Sequence, residues 1–159
     1  MTDQWEIATS HLGITGIRLK RRGAAPGRRV GAGVKTDPGG VDRELQAYFA
    51  GRLKSFTCRY DLAALPPFTR AVLELTAKIP YGEVRSYAWI ARELGKPKAA
   101  RAVGNALARN PVPIIVPCHR VVRGDGAIGG FALGSAWKKR LLDLEKKHVK
   151  PGVLSRRRA

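Results

Sequence analysis

The 159-residue chain is short of cysteine, short of acid and without a long apolar run. Each shortage removes a class of protein. Two cysteines, Cys58 and Cys118, are too few for a disulfide framework. With no apolar leader in view they lead us to expect a reducing, cytoplasmic setting. Together with His11, His119 and His148 they show none of the ligand spacing that zinc sites use, so no metal or cofactor is expected. No stretch approaches the roughly 20 apolar residues that cross a bilayer, and no membrane partner is expected. Asp and Glu number 12 against 30 Lys and Arg, a net charge of +18 with a pI near 10.9. A field of that sign attracts polyanions, and nucleic acid comes before an anionic membrane because no basic helix has a broad apolar face. A solvated basic surface would give the same count.

What is present divides at "LPPF", residues 65–68. The expected class is α/β (α+β), with a small β-rich N-terminal domain over 1–64, a mostly helical C-terminal domain over 65–148 and a basic, disordered tail over 149–159. "WEIATS" and "ITGIRLK" read as a hairpin. The basic Gly/Pro-rich stretch at about 20–40 reads as a loop. Leu45, Phe49 and Leu53 fall on one helical face, and "FTCRYDL" alternates like a strand, which makes Cys58 a buried, inert thiol. Beyond the boundary, Phe68, Val72, Leu75 and Ile79 predict a helix stopped by Pro80. "SYAWIARELG" predicts a second, capped by Ser86 and ended at Gly95. "AARAVGNALARN" predicts a third, with Ala99, Val103, Ala106 and Leu107 inward and Arg101 and Arg109 projecting. The last two, joined by a tight turn, form a helix-turn-helix candidate, although ordinary helical hairpins look alike. "PVPIIV" predicts a strand or extended segment that delivers Cys118, and "RGDGAIGGFALGS" a loop whose backbone can approach a ligand closely. "AWKKRLLDLEKK" predicts a last helix with Trp137, Leu141 and Leu144 inward.

A thiol is nucleophilic only as thiolate, which needs nearby positive charge or a base. His119 and Arg120 follow Cys118 directly. Neighbours in an extended segment point to opposite sides, so His119 would act on the sulfur through one water. Glu145 is the acid available to fix the imidazole, giving a Cys, water, His, Glu relay on the logic of a catalytic triad. A Cys-His dipeptide in a generic chain also reads as a buried thiol beside a surface histidine.

"PVPIIVPCHRVV", "SYAWIA", "AARAVGNALARN" and "GAIGGF" resemble the O6-alkylguanine-DNA alkyltransferases (methylated-DNA–protein-cysteine methyltransferases), over about Phe68 to Glu145. The resemblance implies a ribonuclease H-like N-terminal domain and direct, single-turnover repair of alkylated guanine in double-stranded DNA, with O4-alkylthymine as a further candidate substrate. It implies Cys118 as alkyl acceptor, His119 as base through water and Glu145 as its orienting carboxylate. Asn110 would tie the helix-turn-helix to the active segment. Tyr87 would help rotate the nucleotide at its phosphate and protonate the leaving guanine. Arg101 would take the flipped base's place in the stack. Ala102, Gly104, Asn105, Arg109 and Arg120 would join the DNA contacts, and Val121, Gly130, Phe131 and Ser135 the guanine pocket, Phe131 standing where the family often has tyrosine. The second helix would enter the minor groove. A monomer in solution is expected, with cooperative assembly on DNA an open option.

Extrusion of the nucleotide follows from chemistry as well, because O6 lies inside the duplex. Thr69 and Leu73 replace a glutamine and a tryptophan common in the family, and zinc-binding residues of some relatives are missing. The arginine-rich stretch 20–35 would add nonspecific DNA affinity. The main alternative is a sensor that binds the lesion without chemistry, a class that typically replaces the cysteine with tryptophan. A helix-turn-helix regulator and a cysteine hydrolase are further readings, the latter requiring an oxyanion hole.

Overall fold

The computed structural model describes residues 5–19 and 38–149. The basic stretch 20–35 and the tail from 150 therefore lie outside the described residues. Helices and small sheets make two compact units, the first ending at Ala64 and the second starting at Leu65.

In the first unit, β1 (Trp5–Thr9) and β2 (Ile14–Leu19) form an antiparallel hairpin with Ile7 opposite Ile17 and a bulge at Ala8/Thr9. Ile14 and Ile17 turn inward, and α1 (Pro38–Phe49) contributes Val41, Leu45 and Tyr48 to the same core. Trp5 stacks on Phe49, and Tyr48 leans on Phe56. The strand expected at "FTCRYDL" is replaced by irregular chain with a single bridge, Ile14 to Tyr60. The physical reason is Glu44. Its carboxylate accepts from the backbone N–H groups of Thr57 (3.0 Å) and Cys58 (3.4 Å) and from the Thr57 hydroxyl, diverting the donors a ladder would use. Gly13 permits the close pass: a Cβ there would sit 2.7 Å from the Arg59 carbonyl.

The second unit begins with α2 (Pro67–Thr76), started by proline at its first position and closed by Ala77. Its buried face is Thr69, Val72, Leu73 and Thr76, one step around from the expected stripe. Phe68 lies half-buried beneath the Lys96 ammonium, 5.2 Å away. Thr76 is tolerated inside because its hydroxyl donates to the Val72 carbonyl at 2.7 Å. After the two-residue β3 (Arg85–Ser86), α3 (Tyr87–Glu93) starts on Ser86, whose Oγ accepts from the Trp89 N–H at 3.0 Å. It ends before Gly95, at φ +69°. α4 (Ala100–Ala108) packs on α2 and α3 through Val103, Ala106 and Leu107.

"PVPIIV" forms no regular strand, contrary to the extended segment expected. Prolines 111, 113 and 117 have no N–H to give a ladder, and the chain folds back so that Val116 N donates to Val112 O at 3.0 Å. Ile114 holds φ +76° in full burial, a conformation that β-branched residues avoid and that its surroundings must enforce. A 3-10 turn follows at Cys118–Arg120, then β4 (Val121–Val122), which pairs parallel with β3. That pairing sets the start of α3 beside the thiol. The closing helix α5 (Ser135–His148) buries Lys138, Leu141 and Glu145. Trp137 and Leu144, expected inward, are half-buried.

Candidate active site

Cys118 lies at the foot of an open cavity of about 790 Å³. Tyr87 and Ala88 of α3, Arg101, Gly104, Asn105 and Ala108 of α4, and the glycine-rich segment around Gly129, Gly130 and Phe131 form its walls. The thiol is 4 % exposed. Asn110 holds it from behind: Nδ2 donates to Sγ at 3.1 Å and to the Val116 carbonyl at 2.9 Å, while Oδ1 accepts from Val112 N at 3.0 Å. One amide thus fixes both the fold-back of the strand-like segment and the sulfur's position.

The 3-10 turn buries three successive side chains, Cys118, His119 and Arg120. His119 goes fully inward, which excludes the surface histidine, and its ring meets Phe131 edge-on at 6.3 Å. Its Nε2 pairs with Glu145 Oε1 at 2.7 Å. Arg120 turns inward as well and binds the same carboxylate through Nε (3.0 Å) and Nη2 (2.9 Å). It also donates to the Ile79 carbonyl at 2.6 Å and covers the Tyr81 ring. Gly82 N completes the carboxylate's shell at 3.0 Å. Burial alone would push Glu145 up, but the hydrogen bonds and charge of His119 and Arg120 bring it down to about 2. A fixed carboxylate makes Nε2 the protonated nitrogen of a neutral ring and turns Nδ1 into the basic one. Burial, the largest effect on His119, lowers its pKa despite the pull of Glu145, so the ring is neutral and able to accept a proton near pH 7.

Lys138 is the feature that the sequence reading missed. Its ammonium is buried, donates to the carbonyls of Val121 (2.6 Å) and Gly130 (3.1 Å), and lies 3.5 Å from Tyr87 Oη. A stripe was there to be found: residues 138, 141 and 145 recur at helical spacing once Glu145 is placed inward. Burial lowers Lys138 to about 8, against the opposing effect of Cys118. Burial raises Cys118 to about 11, opposed by the Asn110 hydrogen bond and the Lys138 charge. The resting sulfur is therefore a thiol, ionised in roughly one molecule in ten thousand at pH 7. Its use as a nucleophile needs a proton acceptor at the moment of reaction.

The residues 67–147 match the family described as "6-O-methylguanine DNA methyltransferase, DNA binding domain". The chain belongs to that family. It is 50% identical over 108 residues to a methylated-DNA–protein-cysteine methyltransferase of Methanosarcina acetivorans, covering 66% of this chain and 67% of the relative. A relative of the same name from Mycobacterium leprae is 49% identical over 106 residues, 67% of this chain and 64% of its own. The chain thus spans about two thirds of the length of the curated relatives it matches. Among solved structures, Mycobacterium tuberculosis OGT in complex with DNA aligns at 39% identity with a TM-score of 0.78, covering 92% of this chain and 89% of the other.

Against this fold, the expected site residues separate. Cys118, Tyr87, Arg101, Gly104, Asn105, Gly130 and Phe131 line the cavity. Asn110, His119 and Glu145 stand behind it in the network described. Ala102 on α4 and Arg109, which caps its C-terminal end, are exposed without lining the cavity. Arg120 is corrected from a DNA contact to a buried partner of Glu145, because an uncompensated carboxylate there would be far costlier than a lost surface cation. Val121 and Ser135 are likewise absent from the cavity wall: Val121 is buried with its carbonyl on Lys138, and Ser135 opens α5 on the surface. Among the described residues no cluster of His, Cys, Asp or Glu could hold a metal ion, and no helix is long and apolar enough to cross a membrane.

Proposed function

We propose that this protein repairs DNA as a methylated-DNA–protein-cysteine methyltransferase, moving the alkyl group of O6-alkylguanine onto Cys118 in a single turnover. The observation that carries the reading is a buried thiol at the foot of an open cavity, held by Asn110 and backed by the His119–Glu145 pair. The Cys118 proton passes through a water to His119 Nδ1 as Sγ attacks the alkyl carbon. The S–C bond forms as the C–O6 bond breaks, and the electron pair leaves with guanine. Tyr87, whose hydroxyl burial keeps protonated, donates to the departing base, with the Lys138 charge beside it. The thioether product has no route back to thiolate, and displacement at an alkyl carbon needs no oxyanion hole.

Reaching O6 requires the nucleotide to leave the stack. The reading makes α3 and α4 a helix-turn-helix whose second helix enters the minor groove. Support comes from the outward side of α4, Arg101, Ala102 and Asn105, with Arg109 just past its end: small residues for close approach and arginines for phosphate and for the vacated space. Ala102 and Arg109 act there as groove contacts, Gly104, Gly130 and Phe131 as walls of the guanine pocket. The N-terminal unit is a ribonuclease H-like support in this reading, and O4-alkylthymine is a further candidate substrate. Intact-protein mass and peptide mapping after incubation with a duplex carrying one O6-methylguanine test it. One added methyl on the Cys118 peptide, saturating at one per protein, is expected; tight lesion binding at unchanged mass would make the protein a sensor instead.

A further inference from the structure

Two arginines line the cavity, and the function proposed uses one. Arg101 stands on α4; Arg123 stands on the other wall, in the glycine-rich segment that follows the 3-10 turn. Every residue lining the cavity is either one of these cations or uncharged in its resting state. The backbone around Arg123 is already committed. Its N–H donates to Ala127 O at 2.9 Å, and its carbonyl accepts from Gly126 N at 3.0 Å. Asp125 caps the same turn through Ala127 N at 3.0 Å. A tight turn whose own polar groups are satisfied presents its side chain from a fixed base.

That side chain lies across the lip. Arg123 Cγ is 3.5 Å from where a side chain on Gly129 would begin, and Gly129, at φ +75°, has room for none because Tyr87 Oη would be 2.8 Å away. The Arg123 side chain is 61 % exposed, and its ion partner is Asp125 at 3.3 Å, whose side chain is 58 % exposed. An exposed pair of this kind contributes little to stability and yields readily to a stronger anion. Phosphate is that anion, because the guanidinium fork fits two of its oxygens. Its positive charge is also felt at Tyr87, where it opposes the larger upward push of burial on the hydroxyl.

We infer that Arg123 grips a backbone phosphate of the extruded nucleotide, on the glycine-rich side of the cavity, and exchanges Asp125 for that phosphate when DNA binds. The inference deepens the alkyltransferase reading and rests on it for the identity of the ligand. An extruded nucleotide stays attached to the chain by a phosphate on each side. Arg101 takes the space the base leaves in the stack, and a second cation on the glycine-rich wall holds the phosphate so that the sugar does not swing. Arg123 is a positioning residue: it fixes where the alkyl carbon sits relative to Sγ without touching it.

The test uses the full chain. Binding to a duplex carrying O6-methylguanine is measured with Cys118→Ala, which cannot react, and with Cys118→Ala plus Arg123→Ala, across a range of salt. Removing one phosphate contact lowers affinity and flattens the slope of log affinity against log salt by about one. In the reactive protein, Arg123→Ala should slow transfer from duplex at least tenfold more than transfer from the free base O6-methylguanine, which has no phosphate, and Arg123→Lys should recover part of the loss. An unchanged salt slope, or equal losses on duplex and free base, overturns the assignment. The slope is read without chemistry, so it separates this inference from alkyl transfer itself, which fails on its own if the unaltered protein takes up no methyl.

Discussion

Cys58 and Cys118 each line a cavity, of about 370 and 790 Å³, and each is raised chiefly by burial, to about 12 and about 11. By resting ionisation they differ only about tenfold, too little to make one a nucleophile and the other inert. Their neighbours differ far more. Cys58 faces the Glu44 carboxylate, whose charge opposes a thiolate. Cys118 faces an amide donor and an ammonium, with a neutral histidine fixed beside it by a carboxylate. On the function proposed, reactivity is a property of the surroundings, prepared to receive a proton and a negative charge, and not of exposure or of the resting pKa.

The comparison breaks most sharply by deletion. Cys118→Ala should take up no methyl from a lesion duplex while still binding it, and Cys58→Ala should transfer at close to the full rate; intact mass reads both. Next in size, Glu145→Gln should slow transfer about a hundredfold or more by freeing the imidazole's orientation. It should also leave Arg120 buried without its carboxylate, lowering stability in a denaturant titration by about 3–5 kcal/mol. Asn110→Ala should slow transfer about tenfold, one hydrogen bond to a developing charge, and should cost about 1–3 kcal/mol of stability by orphaning Val112 N–H.

The pH profile distinguishes a relay from a bare thiolate. Direct ionisation of a thiol near 11 predicts a rate rising tenfold per pH unit. Proton transfer to His119 predicts a plateau from neutral pH to about 8. The plateau's acid edge lies below the usual histidine range because burial lowers the imidazole, and its basic edge comes where Lys138 loses its charge. Single-turnover rates across that range decide between them. A further effect is on acid stability. Glu145 is held at about 2, below its ordinary 4.5, so its contribution is complete above about 4.5 and is lost as the pH falls toward 2. The loss is on the order of 3 kcal/mol, and Glu145→Gln should flatten that limb of the stability curve.

How legible the site was depended on distance along the chain. The Ser86 cap, the Gly95 stop, the α4 inward face of Val103, Ala106 and Leu107, and the hairpin were readable because each is decided by residues within one or two turns. The strand at "FTCRYDL" was misread because Glu44, 13 residues away from Thr57, takes its donors. Arg120 was misread because the carboxylate that captures it lies 25 residues on. Lys138 escaped because lysine is an outward residue by default, and only three acceptors at one point inside the fold reverse that.

By itself the sequence determined the basic charge, the helices of the second unit, the Pro-Cys-His-Arg motif and, through it, the family. Local propensity, capping and covalent order are written residue by residue and need no fold to express them. Only the tertiary structure decided which way Arg120 and Lys138 point, which cysteine has a base at hand, and that Arg123 shares a cavity with Arg101. The orientation of a charged side chain is set by desolvation weighed against partners brought from elsewhere in the chain, and that balance exists only once the chain has folded.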